Sequence, residues 1–414
     1  MGLKILHIST YDTSGGAARA MYRLHRGLLN SGQQSLVYVQ RKYSNENEIV
    51  TAGNCQKFVG KLKSRIDQLP LKLLYPNRNS IFSPAFVPDV LVRIVKQLQP
   101  DIIHLHWIAD GFIRIESLKK INKPIVWTLH DMWAFTGGCH YSDGCMNYHQ
   151  SCGNCAVIGS GESFDLSRRV WNRKNRAWKD LNLTLVSPSK WLAECAKNSC
   201  LMNDKRVEMI HNGINTNIFK PCNKKKVREL LNLPKDKKLI LFGAAGGNRD
   251  PRKGFKHLYD ALQILVRNGW KDQIGIIVFG SSESESVSNL GVKAYFYDNI
   301  NDENLLASIY AAADVFVAPS LQDNLPNTIL ESMSSSTPCV AFSIGGMPDM
   351  IEHLHNGYLA KPLDFADLAK GILWVLRDEN RYLDLCKYAR KKVEESFELR
   401  HIAEKYLKIY SQLT

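Results

Sequence analysis

Short runs rich in β-branched residues recur along this chain, each followed by a longer amphipathic stretch, and that alternation limits the fold severely. A run apolar on both faces must be covered on both sides, which a parallel sheet flanked by helices provides. The predicted strands of the first half are Lys4–Ile8, Ser35–Val39, Ile102–His106, Ile125–Leu129, Thr184–Ser187 and Arg206–Ile210. Leu239–Phe242, Ile274–Phe279, Val315–Ala318 and Cys339–Phe342 repeat the theme. Between the two series, Phe219-Lys-Pro-Cys-Asn-Lys-Lys-Lys has the polar, basic composition of a linker. With 414 residues the chain is long enough for two domains. We therefore expect two doubly wound α/β domains joined near Lys220. Ligands would lie outside the carboxyl ends of the strands, in one cleft that both domains share.

The segment from Val315 to Met333 reads as strand, loop and helix, with Pro326 and Asn327 at the turn and Asn327 or Thr328 as helix cap. A helix start of this kind suits phosphate, because its amides are unpaired and its dipole is positive there. Glu331, about one turn in, is placed to grip a ribose diol, and Asp323 in the loop to accept from sugar hydroxyls. On spacing alone, two surface acids remain an equal reading.

The stretch resembles the E-x7-E motif of the family 4 retaining glycosyltransferases, with Asp323 at its first position and Glu331 at its second. Ile210-His-Asn-Gly-Ile-Asn-Thr-Asn-Ile-Phe-Lys-Pro and Ser343-Ile-Gly-Gly-Met-Pro-Asp are similar to two further segments of that family, in the right order. The resemblance implies a GT-B fold: an acceptor-side domain over 1–218, a donor domain over 219–395, and a helix over 396–414 returning to the first. It also implies that Glu331 holds the nucleotide ribose, that Asp323 faces the donor sugar, and that Asn324, Leu325, Pro326, Asn327 and Thr328 line the donor. Asp323 is one methylene shorter than the family's Glu, and Asn324-Leu325 replaces its usual Gly-Phe-Gly.

Arg252-Lys253-Gly254 follows a predicted strand, and fixed cations there would stabilise a departing nucleoside diphosphate. Lys253 matches the family's Lys. Gly247 stands where its Arg is expected, so Arg249 or Arg252 would substitute. The glycine pair before Ala17 allows close backbone approach, and the resemblance puts Gly16 beside the diphosphate. It likewise sets His130, at the end of a predicted strand, against the donor sugar. Retention by front-face substitution is implied, with the leaving phosphate taking the acceptor proton; Asp131 is the rival base. No cofactor or catalytic metal is required.

Cys139, Cys145, Cys152 and Cys155 have spacings compatible with a structural zinc, with disulfides or free thiols as alternatives. Their context resembles a colanic-acid-type branch of bacterial polysaccharide enzymes. The formal charge of +14 points to anionic partners, but no zinc-finger, helix-turn-helix or RNA-binding signature supports nucleic acid. Phe58, Leu62, Ile66 and Leu69 form one helical stripe flanked by Lys57, Lys61 and Arg65, which suits either an anionic membrane surface or docking on the core. No apolar run or leader sequence argues for export.

The expectation is a cytoplasmic glycosyltransferase, peripheral at the inner face of the plasma membrane. It would move a sugar from a UDP- or GDP-sugar to a saccharide or undecaprenyl-linked glycan in surface polysaccharide assembly. A sugar-nucleotide epimerase and a non-catalytic sugar-nucleotide-binding scaffold are the rivals. An NAD-dependent oxidoreductase is disfavoured because the dinucleotide fingerprint is missing.

Overall fold

Among the described residues, thirteen strands form two sheets, and every strand pair within them is parallel. The structure, a computed structural model, describes residues 2–53, 55–76, 78, 80–243, 250–280, 289–298 and 300–414.

The first sheet contains β1 (Lys4–Tyr11), β2 (Gln34–Arg41), β3 (Ile49–Val50), β4 (Ile102–Leu105), β5 (Ile125–Thr128), β6 (Leu183–Ser187) and β7 (Arg206–Met209), in the order β3-β2-β1-β4-β5-β6-β7. Side chains alternate across it as the pleat requires. Leu6, Ile103, Trp127 and Leu185 face a core containing Trp133 and Trp178, while Ile5, Ile102, Val126 and Val186 face one containing Ile402, Tyr406 and Tyr410. Burial on both faces explains why the central strands read as continuous apolar runs.

The second sheet contains β8 (Lys238–Gly243), β9 (Ile274–Phe279), β10 (Ala294–Tyr297), β11 (Val315–Ala318), β12 (Cys339–Phe342) and β13 (Gly357–Ala360), in the order β10-β9-β8-β11-β12-β13. Leu239, Leu241, Ile277 and Phe316 point to one side, and Ile240, Phe242, Ile276 and Val317 to the other.

The chain divides into two compact units, Met1–His211 with Ile402–Thr414, and Asn212–His401. The change of unit comes just before the basic linker. Ile214 exchanges backbone bonds with Phe397 and Leu399, at 2.9 and 3.0 Å. Phe219 is fully buried beside Tyr310, and the Arg390 guanidinium donates to the carbonyls of Thr216, Phe219 and Ser334. The segment that returns to the first unit is Ile402–Thr414.

The predicted amphipathic helix is split into Gln56–Asp67 and Leu69–Leu74. Its apolar stripe does not dock on the core. Phe58 is 73 % exposed and Leu73 72 %, with Leu62, Ile66, Leu69 and Leu74 exposed beside them, whereas the buried positions of Gln56–Asp67 are Gly60 and Asp67. No helix among the described residues is long and apolar enough to cross a membrane.

Candidate active site

In the second unit, the loop after β11 is held from two sides by glycines that no other residue could replace without movement. Gly254 (φ +69°) would place a Cβ 1.8 Å from the Pro319 carbonyl oxygen, and Gly345 (φ +50°) one 1.9 Å from that of Asp323. The Leu321 amide donates to the Arg252 carbonyl at 2.6 Å, fastening the Pro251–Lys253 turn to the loop. The outcome is the contact between two expected site residues. Lys253 Nζ lies 2.6 Å from Asp323 Oδ2, and the Asn324 amide donates to Oδ1 at 3.0 Å. Arg252 is bonded instead to its neighbour Asp250, at 2.7 Å. Gly247 and Arg249 lie outside the described residues.

The helix Asn327–Ser334 begins directly after Pro326. Neither Asn327 nor Thr328 is its cap, as expected from the sequence. Pro326 occupies that position, and its ring supplies no side-chain cap bond. Asn324, Leu325 and Pro326 are buried, and Asn327 and Thr328 half-buried. Asn212 Nδ2 donates to Asn327 Oδ1 at 3.4 Å, which ties in the segment after residue 211. Glu331 is buried, with its Oε2 accepting from the Tyr310 hydroxyl at 2.9 Å. A carboxylate kept inside a domain and oriented by a phenol is unlike a solvated helix-face acid, which is usually exposed.

In the first unit, Gly16 opens the helix Gly16–Asn30. The preceding loop is set by Asp12, which sequence reading passed over. Its buried carboxylate accepts from the amides of Thr13, Tyr43 and Ser44 at 2.8–3.0 Å, joining the loops after β1 and β2. His130 follows β5, its Nε2 3.1 Å from His106 Nδ1. Burial pushes the His130 imidazole down to about 4, with Asp131 opposing weakly, so the ring is neutral near pH 7. Burial would raise the Asp131 carboxyl, but bonds from His140 (2.6 Å), the Trp133 amide (2.8 Å) and the Trp107 indole (2.8 Å) outweigh it and hold the group low. A carboxylate so committed is a poor proton acceptor.

Two family models match. The glycosyltransferase family 4 model covers residues 14–218, and the group 1 glycosyl transferases model covers 223–392, so that between them they span most of the chain. Together these two matches make the chain a glycosyltransferase. By sequence it is 24% identical over 361 residues to the putative colanic acid biosynthesis glycosyl transferase WcaC of Escherichia coli, covering 82% of this chain and 83% of that one. By structure it is similar to a sucrose-phosphate synthase from Thermosynechococcus elongatus, with a TM-score of 0.71, 18% identity, and 99% and 98% of the two chains covered. It is also similar to HepE of Anabaena, solved with UDP and glucose, with a TM-score of 0.67, 17% identity, and 99% and 100% covered. These likenesses establish two Rossmann-like domains of the GT-B type.

The cysteine-rich segment of this glycosyltransferase carries free thiols at Cys139, Cys145, Cys152 and Cys155. Cys152 Sγ accepts from the Gly137 amide at 3.1 Å, and burial pushes its thiol up to about 12. Among the described residues, the group whose donor atoms gather within 4.8 Å of one another is a different one, the buried His7, His104 and His106. The sequence signal for it was histidine at alternate positions of one strand, His104-Leu-His106, with His7 in register with His104 on β1.

Proposed function

We propose that this glycosyltransferase transfers a sugar with retention from a UDP- or GDP-sugar to a saccharide or lipid-linked saccharide in surface polysaccharide assembly, without a catalytic metal. The Lys253–Asp323 contact, on the loop that leads to buried Glu331, carries the reading. Glu331 takes the ribose diol, and residues 324–328 line the donor. Lys253 meets the diphosphate as negative charge grows on it, with Arg252 as a second cation. Asp323 orients both Lys253 and the donor sugar. Gly16 and His130 serve the diphosphate and the sugar from the first unit. The commitment of Asp131 to three donors favours the leaving phosphate as the acceptor of the incoming hydroxyl's proton. UDP in HepE and the pathway in the name of WcaC agree with these assignments. A structural zinc on Cys139, Cys145, Cys152 and Cys155 is compatible with the proposal, and elemental analysis of reductively purified protein decides it.

The deciding experiment is a panel of UDP- and GDP-sugars. One donor raises the melting temperature and releases its nucleoside diphosphate only when a saccharide acceptor is added. Binding without acceptor-dependent release would instead identify a scaffold.

The exposed apolar face of residues 56–74 supports a peripheral position on an anionic membrane. Lys57, Lys61, Arg65 and Lys72 are exposed around it, the arrangement of an interfacial helix. Each basic residue near such a surface contributes about 1 kcal/mol, so neutralising three costs roughly a hundredfold in partitioning. The K57E/K61E/R65E variant is expected to lose binding to phosphatidylglycerol-containing vesicles, with its melting temperature unchanged. Equal binding of variant and parent protein would exclude this surface.

A further inference from the structure

Three imidazoles in the first unit form an unbroken chain. His7 Nδ1 lies 3.0 Å from His106 Nε2, and His106 Nδ1 lies 3.1 Å from His130 Nε2. His104, packed against the first two, is bonded elsewhere. Its Nε2 meets the Thr128 hydroxyl at 2.7 Å and its Nδ1 the Tyr410 hydroxyl at 2.6 Å. Of the six ring nitrogens of His7, His104 and His106, five are therefore in hydrogen bonds, and His7 Nε2 has none. The cluster is a hydrogen-bonded chain in place of a set of vacant metal donors.

Burial keeps the rings of His7, His106 and His130 neutral, and repulsion from neighbouring histidines adds to it at His7 and His106. A neutral imidazole carries one N–H and one bare nitrogen, and each N···N contact holds one proton. Three rings joined by two contacts leave one proton over, and only two arrangements exist. In one, the extra proton is on His7 Nε2; in the other, it is on His130 Nδ1. The first buries an N–H that has no acceptor, inside a ring with no exposed surface. Orphaned buried N–H groups are rare and costly, whereas a bare nitrogen is tolerated better. The half-buried His130 is the better place for the proton.

We infer that His7 and His106 are positioning residues that hold His130 as its Nδ1–H tautomer, so that His130 presents a hydrogen-bond donor to an oxygen of the donor substrate. The contact with substrate rests on the proposed role of His130; the tautomer does not. Each link donates towards the site: His7 Nδ1–H to His106 Nε2, then His106 Nδ1–H to His130 Nε2. Sequence separation hides this arrangement, since parallel pairing of β1 with β4, and of β4 with β5, is what lines the rings up.

The test is a long-range proton–nitrogen correlation spectrum of the full-length protein labelled with [15N]histidine, with the His130 signals assigned from a His130→Gln variant. The expected pattern is a protonated Nδ1 and a bare Nε2 at His130. The reverse pattern overturns the inference. In a His106→Phe variant, His130 is expected to show both tautomers averaged; retention of the single Nδ1–H form removes the positioning role. Should that variant fail to fold, the spectrum of the parent protein still decides. Unchanged kcat and KM in His130→Gln, alongside the expected tautomer, would overturn the substrate contact alone.

Discussion

Replacing Lys253 with alanine is expected to lower kcat by about a hundredfold to a thousandfold, the range seen when one fixed donor to a developing anion is removed. The effect falls mainly on kcat because charge on the leaving diphosphate grows towards the transition state, so the cation is worth more there than in the ground state. Asp323 complicates the measurement in a useful way. Its side chain is only 10 % exposed and loses its cation in the variant. An uncompensated, largely buried carboxylate destabilises a fold, so the melting temperature should fall as well. Adding Asp323→Asn to Lys253→Ala removes the orphaned charge. That double variant should regain the lost stability while staying slow, because the two residues act as one unit. Stability and turnover recovering together would mean that Lys253 is structural only. A parent-like kcat in Lys253→Ala would reject its catalytic role.

Glu331→Gln should produce a loss of different character. A carboxylate accepting from two ribose hydroxyls makes charge-assisted hydrogen bonds of about 1.5–3 kcal/mol each. Changing one oxygen to an NH2 group takes away both the charge and one acceptor. The expected result is a drop in kcat/KM of about a hundredfold, expressed chiefly as a higher KM, since ribose binding is the same in ground and transition states. Tyr310→Phe removes only the hydroxyl that orients the carboxylate, and should cost less. A 2′-deoxy donor provides the cross-check. The parent enzyme should discriminate strongly against it, and the Glu331→Gln variant weakly. Equal discrimination by the two proteins would take Glu331 away from the ribose.

The sequence made the central strands legible. β9, β11 and β12 coincide with the predicted runs residue for residue, because strands buried on both faces are written as unbroken apolar runs. Three strands escaped notice. β10 is Ala-Tyr-Phe-Tyr at a sheet edge with all four residues half-buried, β13 opens with Gly357, and β3 has two residues. β3 lacks the length, and β10 and β13 lack the unbroken buried apolar run, that makes a strand readable. At the site, the acids and the lysine were visible as motif residues, but their pairing was not. It depends on Gly254 and Gly345 bringing two backbones together across long stretches of sequence. The helix start was misread because Asn and Thr are favoured caps, while packing of the loop put Pro326 there instead. Asp12 and His7 gave no signal of their own, and His106 gave only its alternation with His104. What they do depends on strand register, which a single sequence does not display.

Tyr410 closes the face of the first sheet that contains Ile5, Ile102, Val126 and Val186, and its hydroxyl reaches His104. It reaches them from beyond the whole of Asn212–His401. During synthesis, the second unit is therefore complete as a contiguous stretch before the first has received its last element. The amino-terminal unit, although made first, must wait with part of one sheet face uncovered until Ile402–Thr414 emerges. Order of synthesis and order of completion are reversed in this chain. Its upstream half is thus the part with the longer exposure to chaperones and to aggregation.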